Sequence, residues 1–167
     1  ATGGLFSLDI DNLNVGGVRE VHVLADGRIV AGGYYTDLSV VRPVLYVLSD
    51  AGVPVPSFGT GGVYTEVVLA AQTEVYGAAV QGHGFVTAGY GREDGPGDND
   101  FVSLRIDGTT GVRDLTYGGG DGVAVLTGFD FADNSRGAVV MPDRGVMMIG
   151  GLRTTATTTD AALVLLT

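Results

Sequence analysis

Ala25-Asp26-Gly27-Arg28-Ile29-Val30-Ala31-Gly32-Gly33 decides the fold of this chain, because its pattern returns twice. Gly27, Gly84 and Gly145 each precede a short apolar run ending in glycine: Arg28 to Gly32, Phe85 to Gly89 and Val146 to Gly150. Outward from these runs, Gly4-Leu5-Phe6, Gly62-Val63-Tyr64 and Gly122-Val123-Ala124 open three similar apolar stretches. Ser57-Phe58-Gly59-Thr60-Gly61-Gly62 is echoed by Thr116-Tyr117-Gly118-Gly119-Gly120-Asp121-Gly122. Matches in one order, near sixty residues apart, mark a repeat architecture. The 167 residues form one domain of three imperfect repeats, about 3–60, 61–120 and 121–167.

The second repeat shows four strand-like runs: Val75 to Val80, Phe85 to Gly89, Phe101 to Ile106 and Val123 to Thr127. Turn residues separate them at Gly82-His83-Gly84, Asp94-Gly95-Pro96-Gly97 and Asp107-Gly108. Asp26-Gly27 between two apolar runs predicts a hairpin with a type I′ turn, and Gly84 is expected at positive φ in the equivalent hairpin. No segment holds a 3.6-residue period, so no helix is expected. The fold class is all-β, and four antiparallel strands per repeat describe a β-propeller blade. Gly77-Ala78-Ala79-Val80 and Gly137-Ala138-Val139-Val140 suit the crowded innermost strand.

The phase of the ends then predicts how the ring is made. Gly4 to Ile10 reads as an outermost strand, and Ala162 to Leu166 matches Val44 to Val47 and reads as a third strand. That makes three blades' worth of strands, and propellers close with about four to eight blades. A half-ring would expose strand edges and apolar blade faces. The expectation is a ring completed by a partner chain, either a homodimer with six blades or remaining blades from another chain.

Asp26-Gly27-Arg28-Ile29-Val30-Ala31-Gly32-Gly33, Asp100-Phe101-Val102-Ser103-Leu104-Arg105-Ile106-Asp107-Gly108 and Ser57-Phe58-Gly59-Thr60-Gly61-Gly62-Val63 together resemble the delta-60 repeat of bacterial proteins, a propeller-forming repeat of unknown function. The likeness covers nearly the whole chain. It departs at His83 and Arg144 near the turns, at the extra residue in Pro142-Asp143-Arg144-Gly145, and at Arg105, which has no counterpart in Val47-Leu48 or Leu165-Leu166. The resemblance implies a propeller and an extracellular or cell-surface location, and it supplies no catalytic residues.

Composition narrows the function. Nine Arg, no Lys and 19 acidic residues leave a formal charge of −10, which repels nucleic-acid phosphates and anionic membrane surfaces. No apolar run approaches the roughly 18 residues of a membrane span. The first reading is a non-catalytic interaction or scaffold module with a protein or glycan ligand. The alternative is a hydrolase or lyase with its site at the propeller axis and calcium as its candidate cofactor. A convergent set of His, Arg and carboxylates at one mouth would favour the enzyme.

Among individual residues, Asp94, Asp98 and Asp100, with Asn99 between them, form the candidate metal site, for calcium, because clustered oxygens on a Gly-rich loop suit that ion. The spacing is not that of an EF-hand, and a turn-forming role is the preferred reading. A second acidic set recurs at one phase: Asp9, Asp11 and Asn12, then Glu74, then Asp130, Asp133 and Asn134. It predicts a negative rim. His22 and His83 fall at different phases and are read as structural. Gly118-Gly119-Gly120 is a turn, not a phosphate cradle, since no helix follows. Thr154 to Thr159 is read as a flexible outer loop.

Overall fold

The computed structural model describes residues 7, 16–37, 39–127, 131–143 and 145–166. Apart from Ser7, the expected strand from Gly4 to Ile10 lies outside them, as do Asp9, Asp11, Asn12 and Asp130 of the acidic set. Within them the chain is all-β: eleven strands and no helix.

The strands form three consecutive antiparallel units. The first is β1 (Gly16–Val23), β2 (Ile29–Asp37), β3 (Val40–Leu48) and the short β4 (Val63–Thr65). The second is β5 (Gln72–Gln81), β6 (Gly84–Arg92), β7 (Asp100–Asp107) and β8 (Val123–Leu126). The third is β9 (Asn134–Val140), β10 (Val146–Arg153) and β11 (Thr159–Leu166). Each strand pairs antiparallel with the next in its unit. The four strand runs of the second repeat and the third-strand position of Ala162 to Leu166 are all observed. No fourth strand pairs with β11 among the described residues. One parallel bridge, Val41 to Gln72, joins the first two units into a single eight-stranded sheet. The described residues close into neither a barrel nor a ring.

The units pack face on face. Val30, Leu45 and Val47 of the first unit meet Phe85, Val102, Leu104 and Ile106 of the second, and Phe58 fills the space between them. Phe58 is fully buried, and its ring meets that of Phe85 edge-on at 6.0 Å. Val86, Ala88 and Phe101 of the second unit pack on Val146 and Met148 of the third, with Tyr117 at the edge of that cluster. Each fully buried apolar side chain of this size stabilises the fold by roughly 1.5–3 kcal/mol. Phe58 and Tyr117 thus hold corresponding places between successive units, as the repeat implies. Their flanking glycines explain the echo: Gly59 and Gly118 have φ of 52° and 67°, and Gly62 and Gly122 have φ of 94° and 79°.

Two turns differ in form from the sequence expectation. In the first hairpin the Gly27 N–H donates to the Leu24 carbonyl and the Leu24 N–H to the Arg28 carbonyl. The loop therefore has three residues, Ala25-Asp26-Gly27, with Gly27 in the left-handed position that closes it, and is not a two-residue type I′ turn. In the second, Gln81 pairs with Gly84 around Gly82-His83. There the positive φ belongs to Gly82, at 61°, and not to Gly84. Gly84 is needed for a different reason: a Cβ on it would lie 2.8 Å from the Ile106 carbonyl oxygen.

Gly27 lies inside its loop whereas Gly84 and Gly145 follow theirs, so Arg28 is their counterpart and the repeat alignment shifts by one residue. Each unit's first strand carries a β-bulge, at Arg19, Tyr76 and Arg136. Opposite the bulges stand Gly33, Gly89 and Gly150, where a Cβ would run into the carbonyls of Gly17, Glu74 and Asn134. Gly33, not Gly32, is therefore the structural counterpart of Gly89 and Gly150.

Candidate functional site

A bulge leaves one residue outside the ladder and re-aims its side chain. The three first strands lie side by side, β5 against both β1 and β9, so the three bulged side chains meet. The Arg19 guanidinium lies 4.8 Å from the Tyr76 ring centroid and the Arg136 guanidinium 4.2 Å from it. Neighbouring rings extend the stack. Arg19 also covers Tyr34 at 5.0 Å, Arg136 covers Tyr90 at 5.5 Å, and Tyr76 stacks on Tyr90 at 5.3 Å. Arg19 donates a hydrogen bond to the Tyr34 hydroxyl. Both arginines are exposed, while Tyr90 is buried. Burial, with help from the Tyr76 hydroxyl and Glu74, pushes the Tyr90 hydroxyl far above the usual phenol range, so it stays protonated.

Carboxylates also lie near this stack. Glu20, next to Arg19, occupies the position that Gly77 and Gly137 hold in the other units. Its Oε2 accepts the Ala78 N–H at 2.7 Å, and its Oε1 lies 2.8 Å from His22 Nε2. Glu74 accepts a hydrogen bond from the Gln72 amide at 2.7 Å. The arrangement sets two guanidinium groups on one tyrosine ring inside a strongly acidic protein.

Asp94, Asp98 and Asp100 lie on or beside the exposed loop between β6 and β7, and the structure groups them differently from the sequence reading. Asp94 folds its carboxylate back on Gly97 of its own loop. Asp98 and Asp100 instead lie within electrostatic reach of Asp133, from the second acidic set. Burial first, then Asp133 and Asp98, raise the Asp100 carboxyl above its ordinary range. Asp133 is raised by burial and by Asp98, against the Arg153 N–H that its Oδ1 accepts at 2.9 Å. Among the described residues no three His, Cys, Asp or Glu side chains converge closely enough to hold a metal ion.

His83 stands on the second hairpin turn, beside a hollow of about 660 Å³ lined also by Arg105, Asp107, Arg113 and Asp114. Its two guanidinium groups are neutralised, Arg105 by Asp114 at 3.2 Å and Arg113 by Glu66 at 2.7 Å. His22 lies on β1 and His83 on the turn between β5 and β6. Sequence reasoning missed Arg19, Tyr76 and Arg136. Their spacing of 57 and 60 residues follows the repeat, but their unlike chemistry hid the correspondence. Comparison with known proteins adds no relative: no protein-family model matches the chain, and no curated protein is found to be similar to it.

Proposed function

We propose that the chain is a non-catalytic interaction or scaffold module of the β-propeller type, each unit being one blade, and that a second copy completes a six-bladed ring. The observation that carries this reading is the pair of open apolar faces at the two ends of the stack. On the first unit, Val21 and Val23 of β1 are exposed. On the third, Val139, Ile149, Leu163 and Leu165 are exposed on one face, with Leu163 at 72%. Apolar sheet faces of this kind call for a covering partner. The outer edge of β11 points the same way, since β3 and β7 at the corresponding position each carry a further strand. By its phase in the sequence repeat, Gly4 to Ile10 of a partner copy is the segment proposed for that place. The likeness to delta-60 repeats supports the propeller and a bacterial secreted or surface setting.

Light scattering on the purified chain tests the assembly. Two copies of the 17.0 kDa chain in one particle are expected. A well-folded monomer would refute the dimer and leave blades from another protein as the means of closure. One observation favours the alternative, a hydrolase or lyase acting at the axis: the Glu20–His22 contact lies on the same strand as Arg19. Turnover of an ester or glycan substrate that His22→Ala abolishes would establish that reading.

A further inference from the structure

We infer that Arg19, Tyr76 and Arg136 form a binding site for an oxyanion, such as the carboxylate, sulfate or phosphate group of a ligand. The site is made by one chain, so it stands whether or not the ring closes as proposed above.

A cation over an aromatic face uses the flat side of the guanidinium and leaves the N–H donors around its edge pointing outward. Those edge donors match the geometry of a carboxylate or phosphate and bind it in pairs. Arg19 uses one donor on the Tyr34 hydroxyl, and Arg136 has no carboxylate partner among the described residues. Elsewhere Arg28, Arg42, Arg105 and Arg113 are each matched with an acid, while Arg92 bonds to Asn99 and Arg153 to the Ala156 carbonyl. In a chain with 19 acidic residues and nine arginines, two arginines are thus drawn onto one tyrosine ring and kept off carboxylates.

The backbone holds them there. The bulges at three corresponding positions turn these side chains out of the ladder, and the contact between Gly77 and Gly137 brings β5 and β9 close enough to share the ring. Arg19 also lies over Tyr34 and Arg136 over Tyr90. These ring contacts restrict the two side chains before any ligand arrives, which lowers the entropic cost of binding. Glu20 and Glu74 nearby hold the Ala78 N–H with His22 and the Gln72 amide respectively, so neither occupies the guanidinium edges.

Titration calorimetry of the whole chain with sodium sulfate and with citrate, against sodium chloride at equal ionic strength, tests the site and separates tetrahedral from planar oxyanions. Saturable binding of at least one of them is expected. Arg19→Gln and Arg136→Gln should each weaken it by about tenfold or more, as loss of a charged hydrogen-bonding partner does. Arg113→Gln, remote from the stack, should leave it unchanged. No saturable binding to either anion, or equal affinity in the doubly substituted chain, would overturn the inference. If that double variant does not fold, Arg136→Lys replaces it, keeping the charge without the planar fork. Weaker binding in Arg136→Lys supports the site, and parental affinity overturns it.

Discussion

A methyl group placed on Gly77 would lie 2.6 Å from the Cα of Gly137. Two glycines from successive units thus touch backbone to backbone, and this contact sets the distance between β5 and β9. Gly77→Ala should destabilise the fold by about 1–3 kcal/mol, the usual cost of forcing extra volume into a packed core. Gly137→Ala should cost less, because its Cβ would meet the Ile149 side chain at 3.2 Å, which can shift. Urea unfolding of both variants checks the order. Equal stability of Gly77→Ala and the parent would mean that the two strands stand further apart.

The second hairpin separates two roles of glycine. Gly82 has φ 61° with open space around it, so Gly82→Asn should be nearly neutral and Gly82→Val clearly destabilising. Gly84→Val should also be destabilising, through collision with the Ile106 carbonyl, and Gly84→Asn should fare no better. Thermal melts of the four variants distinguish the cases. A stable Gly84→Asn would show that the strand can yield there.

Phe58 and Tyr117 hold corresponding sites but should differ in sensitivity. Phe58→Ala removes a fully buried ring and should cost about 3–5 kcal/mol. Tyr117→Phe removes only the hydrogen bond to Ser103 Oγ, which still donates to the Thr87 carbonyl, so a loss of about 1 kcal/mol is expected. Chemical denaturation of each variant tests both figures.

Asp100 makes stability depend on pH in a defined direction. Its carboxyl is held above the ordinary 3.8, chiefly by burial and then by Asp133 and Asp98. Between the unfolded and folded values the native state binds the extra proton, so stability falls as pH rises through that window. The penalty is fully present above it. Asp100→Asn should therefore raise the melting temperature at pH 7, and the gain should shrink as pH drops toward 4. A gain that is independent of pH would assign the effect to packing.

Calcium at Asp98 and Asp100 would act on the same repulsion. If the loop takes the ion, millimolar calcium should raise the melting temperature by mass action on the native state, and Asp98→Ala with Asp100→Ala should remove the rise. Asp133→Asn should diminish it, since Asp133 faces the same pair. An unchanged melting temperature in the parent would leave these residues as turn formers.

What the sequence determined by itself is the periodic part of the fold. The four strands of the second repeat, the third-strand position of Ala162 to Leu166, the fourth-strand position of Val63 and Val123, and the kinship of Phe58 with Tyr117 are all legible in it. Alternating apolar residues and turn-forming glycines act over fewer than about ten residues, and repetition makes such local signals visible three times. The tertiary structure decided the rest. Gly27 sits inside its hairpin loop whereas Gly84 and Gly145 follow theirs, which puts Gly33 in the place of Gly32, and no local signal fixes which residue a ladder will bulge. The shared ring of Tyr76 exists because strands from three repeats pack side by side, bringing Arg19 and Arg136 together from positions far apart in the chain. In the same way Asp133 meets Asp100 across two units, a proximity set by packing and not by any spacing along the chain.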